Sequence, residues 1–372
     1  MRIALLNLPL DNNYGGNLQR YALVTSLEKL GHQVTFLQCE SVVRKEPEYK
    51  LIPRYAKRIL KKIFINHNTE IFAERDRYEQ TLRNNWTAVQ FVHKHLTCSE
   101  SIHNKEELTK YVQNGNFDAV VVGSDQVWRK RIAHEYGLRT YFLDFLGENL
   151  DVKRIAFAAS LGTDMNELSA DEIAELGKLY SRFDAVSIRE QSGIALLELY
   201  GWNEPRPELL LDPTFMLTKE DYWTLIRSGG MRPSEGKMFC YILDKSEEKA
   251  NVITEESEKR NLKPFYASIA DSTGFSIYQW LHSFEDAEFI VTDSFHGVVF
   301  SIIFNKPFRL IHNPFRGNAR FESLFSVLGI NGNTDNLDWD EINANVECQR
   351  KKAMHFLESG LNKKRHNDSF GR

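Results

Sequence analysis

The sequence predicts an α/β protein of two doubly wound, parallel-sheet domains that face each other across a cleft. Three observations lead there. Apolar runs of strand length recur along the chain, helical patterns separate most of them, and the runs are nearly continuous instead of alternating with polar residues. Strands that alternate with helices build parallel sheets covered on both faces, and a strand buried on both faces reads as unbroken apolar sequence. With 372 residues, 42% of them hydrophobic, the chain is long enough for two domains of ordinary size.

The first series of strands falls at 2–8, 34–38, 118–122, 154–159 and 185–188, and the second at 237–243, 264–267, 288–292 and 307–311. Helical spacing places Leu18, Tyr21, Ala22, Leu27 and Leu30 near one stripe of 18–30, and recurs at 170–180, 193–200 and 247–260. The segment LLLDPTFMLTK, 209–219, carries an Asp-Pro step and closes the first series. The expected domains are therefore 1–212, with a helical basic insertion around 44–115, and 213–330. Residues 331–372 read as a C-terminal helix and a loose polar tail that packs back on the first domain.

Charge is nearly balanced, 47 Lys and Arg against 51 Asp and Glu, and a net charge of −4 argues against general nucleic-acid binding. The opening MRIALLNLPLDNN lacks a small-residue cleavage site and reads as a first strand. No stretch approaches the roughly 18 unbroken apolar residues of a spanning helix. Cys39, Cys98, Cys240 and Cys348 lie far apart with no CxxC pair, which predicts neither a zinc knuckle nor a disulfide framework and leaves no metal site. The expected location is cytoplasmic.

Ligands of doubly wound folds bind where loops leave the carboxyl ends of strands. After the first strand, DNNYGGNLQRYAL (11–23) places Gly15 and Gly16 before a helix for which Asn17 is a good cap. Such a turn exposes N–H groups to a phosphate or carboxylate, or is an ordinary capped βα turn. FDAVVVGSDQVW (117–128) ends a strand in Gly123, Ser124 and Asp125, followed by Gln126 and Trp128. A carboxylate, an amide and an indole together suit a sugar, which offers hydroxyls and an apolar face; equally, Ser124 or Asp125 simply caps the next segment.

FDAVSIREQSG (183–193) ends a strand with Arg189 and Glu190, and an Arg there clamps a carboxylate in two-pronged fashion or pairs with a neighbouring acid. The fourth loop is TDSFHGVVFSIIFNKPF, from Thr292. Asp293 and Ser294 are candidate caps, and 297–305 is an interior helix, apolar nearly all round. His296 then falls in its first turn, where the helix dipole disfavours a cationic ring but draws in an anion that restores the proton. The plainer reading is a core histidine bonded to a carbonyl.

Taken in order, NYGGNLQRYAL, VVGSDQVW, SIREQSG, LLLDPTF and TDSFHGVVFSIIFNKPF resemble the polysaccharide pyruvyl transferase family from residue 13 to about 308. The resemblance implies two Rossmann-like domains in a GT-B-like arrangement. It also implies transfer of pyruvate as a cyclic ketal from phosphoenolpyruvate to two hydroxyls of a hexose, in an exopolysaccharide, a capsule or a lipid-linked precursor, with no cofactor beyond that donor. Arg189 would take the donor carboxylate or phosphate, His296 would be the acid or the phosphate donor, and Asp125 would hold or deprotonate the sugar hydroxyl. Asn13, Tyr14, Gly15, Gly16, Asn17, Gln19, Ser124, Gln126, Ser294, Phe295 and Gly297 complete the expected substrate site. Family members often read Arg-Leu-His where this chain has Ser294-Phe295-His296. The cation missing there falls to Arg316 or Arg320 in NPFRGNARF. Two other functions fit the same architecture: a glycosyltransferase with a nucleotide-sugar donor, and a glycan-binding relative without turnover.

One segment stands apart. Residues 44–62 carry eight Lys or Arg and two Glu, with Ile52, Tyr55, Ile59, Ile63 and Phe64 at helical spacing. Such a helix lies on an anionic membrane surface, as the inner face of a membrane would offer, or packs its stripe on the first domain.

Overall fold

Valine, isoleucine and alanine fill the strands, and all those at the sheet centres are buried, as a sheet covered on both faces requires. The structure, a computed structural model, describes residues 1–40, 48–64, 71–72, 85–133, 135–148, 151–230, 232–267, 275–312, 319–332 and 334–363. Strands β1 (Arg2–Leu6), β2 (Gln33–Phe36), β3 (Ala119–Val122), β4 (Lys153–Ala159), β5 (Ala185–Ile188) and β6 (Glu208–Leu209) form one parallel sheet in the order β2-β1-β3-β4-β5-β6. Strands β7 (Met238–Tyr241), β8 (Pro264–Tyr266), β9 (Phe289–Thr292) and β10 (Phe308–Leu310) form a second, ordered β10-β9-β7-β8. Every pairing in both is parallel. Each sheet reverses direction at one point, between β1 and β3 and between β7 and β9, which is where a doubly wound sheet opens a crevice. Two Rossmann-like halves with these crevices turned toward each other are the α/β arrangement expected.

The helices are α1 (Tyr14–Lys29), α2 (Glu48–Phe64), α3 (85–95), α4 (Lys105–Asn114), α5 (Ala170–Tyr180), α6 (Gln191–Leu199), α7 (Lys219–Ser228), α8 (Glu247–Arg260), α9 (Ile277–Asp286), α10 (Phe295–Ile303), α11 (Ala319–Leu328) and α12 (Trp339–Asn362). Helix α1 starts at Tyr14, four residues before the apolar stripe does, because Asn13 and not Asn17 is its cap: the Asn13 side chain accepts from the Gly16 N–H at 3.1 Å. Gly15 and Gly16 thus lie inside the first turn and not in a loop ahead of it. Helix α10 likewise starts at Phe295, two residues earlier than expected, capped by Ser294 Oγ on the Gly297 N–H. The two-residue β6 was invisible to an apolar pattern.

Aromatic packing ties the halves together. Tyr14 of α1 stacks on Trp280 of α9 with centroids 5.4 Å apart and donates its hydroxyl to the Phe275 carbonyl at 2.8 Å. Helix α12 returns to the first sheet, where Phe356 packs on Phe157 of β4 and Lys363 Nζ reaches the Asp184 carbonyl at 3.0 Å. Burying a Phe or Leu side chain is worth about 1.5–3 kcal/mol, so contacts of this kind stabilise the packing of α9 and α12 on the first half. No helix among the described residues is long and apolar enough to cross a membrane.

Candidate active site between the sheets

Three strand ends of the first sheet and one of the second meet at Asp212, in the loop after β6. A short 3₁₀ turn, Pro213–Met216, follows it, so that Asp212 Oδ1 accepts from the Thr214 N–H (3.1 Å) and hydroxyl (2.8 Å). Its other oxygen, Oδ2, is the hub. Arg189 Nη1 at the end of β5 donates to it at 3.0 Å, Gln19 Nε2 from α1 also donates to it, and His296 Nε2 from α10 approaches to 3.7 Å. The last distance is an ion-pair contact, longer than a hydrogen bond. Arg189 and His296, from opposite halves, therefore converge on one oxygen atom.

Two more carboxylates surround the same guanidinium. Asp125, after β3, accepts from Arg189 Nη2 at 3.2 Å, and Glu190 lies 3.7 Å from Arg189 Nε. Asp125 reaches this place through a left-handed backbone, φ +72°, unusual for a side chain with a Cβ. It bridges to Ala159 just past a register shift in β4. Glu190 Oε1 gathers the Ser160 hydroxyl and the Leu161 and Gly162 N–H groups at 2.8–3.1 Å. Ser124 links α1 to β4, accepting weakly from Gln19 at 3.5 Å and donating to the Ala158 carbonyl at 2.9 Å.

Phe295 lies between two guanidiniums, Arg189 Cζ 5.1 Å from its ring centroid and Arg320 Cζ 5.3 Å. Arg320 is carried by α11, which docks on α6 through the Gln191 N–H donating to Ser323 Oγ at 2.8 Å. Gly15 has a demand of its own: a Cβ there would fall 2.1 Å from the imidazole Cγ and Nδ1 of His296. Only glycine lets α1 approach the ring so closely.

The electrostatics divide the acids. Burial alone would raise Asp212, but His296, Arg189 and the Thr214 N–H outweigh it and hold the carboxyl well below the usual carboxylate range. Asp125 is lowered too, burial being overcome by Arg189, then His296 and Arg320. Asp11, in the loop after β1, goes the other way. Crowding by protein raises it, more than Arg20 lowers it, and the charge on Asp125 adds to the rise. Arg320 is pushed down to about 10, by burial first and by Arg189 beside it.

Gln19 Oε1, Arg189 Nε, Glu190 Oε2 and His296 Nε2 are all buried and lack a hydrogen-bond partner among the described residues. Buried polar atoms are ordinarily paired, and four unpaired ones in one cluster mark a place where a polar ligand would complete the bonding. Among the described residues no group of three or more His, Cys, Asp or Glu has metal-holding geometry.

Of the residues expected from sequence, Gly15, Gln19, Ser124, Asp125, Arg189, Phe295, His296 and Arg320 come together here. Asn13 and Ser294 serve as caps, Gly297 packs against Thr292, and Tyr14 joins the halves. Asn17 binds the Asp11 and Asn13 carbonyls and the Arg20 guanidinium. Gln126 accepts from Arg129 at 2.9 Å, beside the cluster. Gly16 gives its N–H to Asn13, and Arg316 lies outside the described residues. Trp128 is a correction: its indole donates to the Tyr141 carbonyl at 3.0 Å and stacks on Phe142, inside the core of the first half and not in a sugar site. Asp212 was missed as a site residue. LLLDPTF carries Asp212 in an Asp-Pro step that marks a boundary, and its partners Gln19, Arg189 and His296 are too distant in sequence to show there.

Two parallel-sheet halves closing on a buried cluster of acids, guanidiniums and one imidazole define a two-domain α/β protein with a polar crevice. The model of the polysaccharide pyruvyl transferase family matches residues 13–313, and the chain belongs to that family. No curated protein matches it in sequence. Among solved structures it is similar to UDP-N-acetylglucosamine 2-epimerase from Rickettsia bellii, at 9% identity and TM-score 0.49 over 97% of each chain. It is similar as well to UDP-GlcNAc 2-epimerase from Neisseria meningitidis bound to UDP-GlcNAc, at 10% identity and TM-score 0.47, over 98% of this chain and 95% of that one. MurG from Acinetobacter baumannii is similar at 10% identity and TM-score 0.40, over the same shares.

Proposed function

We propose that the chain transfers pyruvate as a ketal from phosphoenolpyruvate to a hexose of a surface polysaccharide or its lipid-linked precursor, acting in the cytoplasm. Membership of the family supports the reaction type. The observation that carries the reading to residues is the convergence of Arg189 and His296 on Asp212, where four buried polar atoms lack a hydrogen-bond partner among the described residues.

The chemistry requires an acid, a base and cations. Protonation of C3 of the donor makes C2 electrophilic, and His296 is assigned that proton transfer, its ring oriented by Asp212 and backed by Gly15. A sugar hydroxyl then bonds to C2 and gives up its proton. Asp125, after β3 and beside Arg189, holds the sugar hydroxyl and takes this proton. The C2–O bond to phosphate breaks, the second hydroxyl adds to C2, and its proton leaves with phosphate. One hydroxyl proton thus replaces the one placed on C3, and the other departs with the leaving group.

Arg189 was expected to clamp the donor. Its guanidinium is already shared among Asp125, Asp212 and Glu190, so in this reading it neutralises the acids, and the donor's charge falls to Arg320 across the Phe295 ring. The Ser294 side chain caps α10, so the position where relatives carry Arg serves the fold in this chain.

Incubation with phosphoenolpyruvate and candidate lipid-linked glycans tests the proposal. Phosphate release with the mass gain of a ketal is the expected result. Glycosyl gain from a nucleotide sugar, or tight glycan binding without turnover, would overturn it.

A further inference from the structure

Helix α2 carries six Lys or Arg against one Glu over Glu48–Phe64, in a chain whose net charge is −4. Its apolar residues are not all turned inward. Leu51 is buried, yet Ile52, one residue on, is 65% exposed and Ile59 is 40% exposed, with exposed Ala56 between them at helical spacing. Phe72, 47% exposed, extends the patch by packing edge-on against Tyr55 at 5.1 Å, and Arg58 Nη1 holds that segment through the Ile71 carbonyl at 3.4 Å. The turn positions of Arg54 and Lys57 lie on the opposite side of the helix from the isoleucine stripe. The result is an amphipathic helix whose apolar side faces solvent and whose polar side is cationic.

We propose that this patch seats on an anionic bilayer surface, the isoleucines and Phe72 entering the boundary between headgroups and acyl chains while the cations meet the headgroup charge. Exposed isoleucines in a protein surface of this size call for a cover, and the local positive charge selects a negative one. A symmetric second copy would bring two basic helices together, a repulsive pairing. Duplex nucleic acid would satisfy the cations and leave the isoleucines in water. The inference does not depend on the ketal-transfer reading, because binding is measured without substrate.

The test is sedimentation of the full chain with phosphatidylcholine vesicles, alone or mixed with phosphatidylglycerol, at low and high salt. Binding is expected only with the anionic lipid and should weaken as salt screens it. Ile52→Asp combined with Ile59→Asp should abolish sedimentation with unchanged circular dichroism and unchanged activity on a soluble acceptor. Lys57→Glu should weaken binding by roughly 10–30-fold, as expected for reversing one surface charge. Equal binding to neutral vesicles, or anionic binding that survives both aspartates, would overturn the proposal. So would no vesicle binding at all, whether or not the wild-type chain dimerises or retains duplex DNA through this helix.

Discussion

Two buried aspartates that follow strands, Asp293 and Asp212, invite comparison because each is paired with a buried cation. Asp293, after β9, accepts from the Leu243 and Asp244 N–H groups at 2.7 and 3.2 Å and from Lys249 Nζ at 2.6 Å. Lys249 in turn donates to the Asp244 carbonyl at 2.7 Å, so the turn after β7 is locked onto its neighbour. The partners of Asp212 come from four places in the chain, and the groups around it still hold atoms without a hydrogen-bond partner among the described residues. Burial and a cationic partner are therefore no mark of a site by themselves. What separates the two is whether the partners have bonding capacity left over, and at Asp293 the geometry is that of a brace.

Substitution should break the comparison cleanly. The largest effect is expected from His296→Ala, a loss of about 10²–10⁴ in ketal-transfer rate, equivalent to roughly 3–5 kcal/mol of barrier. The unfolding midpoint in urea should fall only modestly, by the loss of the 3.7 Å ion-pair contact between the ring and Asp212. A large fall in stability with turnover retained would make His296 a core residue like Lys249. The reverse pattern is predicted for Lys249→Met, which strands the Asp293 carboxylate and should cost about 3–5 kcal/mol of stability while leaving the rate of the folded protein within a few-fold.

Acid sharpens the contrast further. The folded value of Asp212 lies below its ordinary 3.8, so its contribution to stability is complete above about that pH and disappears as pH falls through the lower folded value. The stability gap between wild type and Asp212→Asn should thus be present at about pH 5 and shrink below about pH 4. A gap that instead grows toward low pH would show that Asp212 is not held ionised by Arg189.

Much of this was legible beforehand. The parallel sheets followed from unbroken apolar strands, and Arg189 and Asp125 were readable because they follow strand ends, His296 because it opens the helix after one. The starts of α1 and α10 were misplaced since caps are local hydrogen bonds, and two asparagines in DNNYGGN compete for the role on equal terms. Gly15 was noticed as a gap in side chains, but its reason is the His296 ring, 281 positions away in sequence, a contact no local pattern encodes. Asp212 was hidden for the same reason: its partners are distant, and locally it is only an acid before a proline. The pairing of Arg189 with three acids needed the fold, since sequence shows just Glu190 beside it.

The smallest expected effect concerns the residue whose role changed most. Trp128 has the composition of a sugar platform, next to Gln126 and Asp125, yet its ring lies within the first half among Phe142, Tyr180 and Phe183. Trp128→Phe keeps an aromatic there but removes the N–H that the Tyr141 carbonyl accepts. Leaving that buried acceptor unpaired should cost about 1–3 kcal/mol in unfolding free energy. The KM for the glycan acceptor should be unaltered, because the indole shares no contact with the Arg189 cluster. Should KM rise while stability holds, the indole reaches the acceptor in the working enzyme, and the division between a packed first-half core and a reactive crevice would have to be redrawn at Gln126.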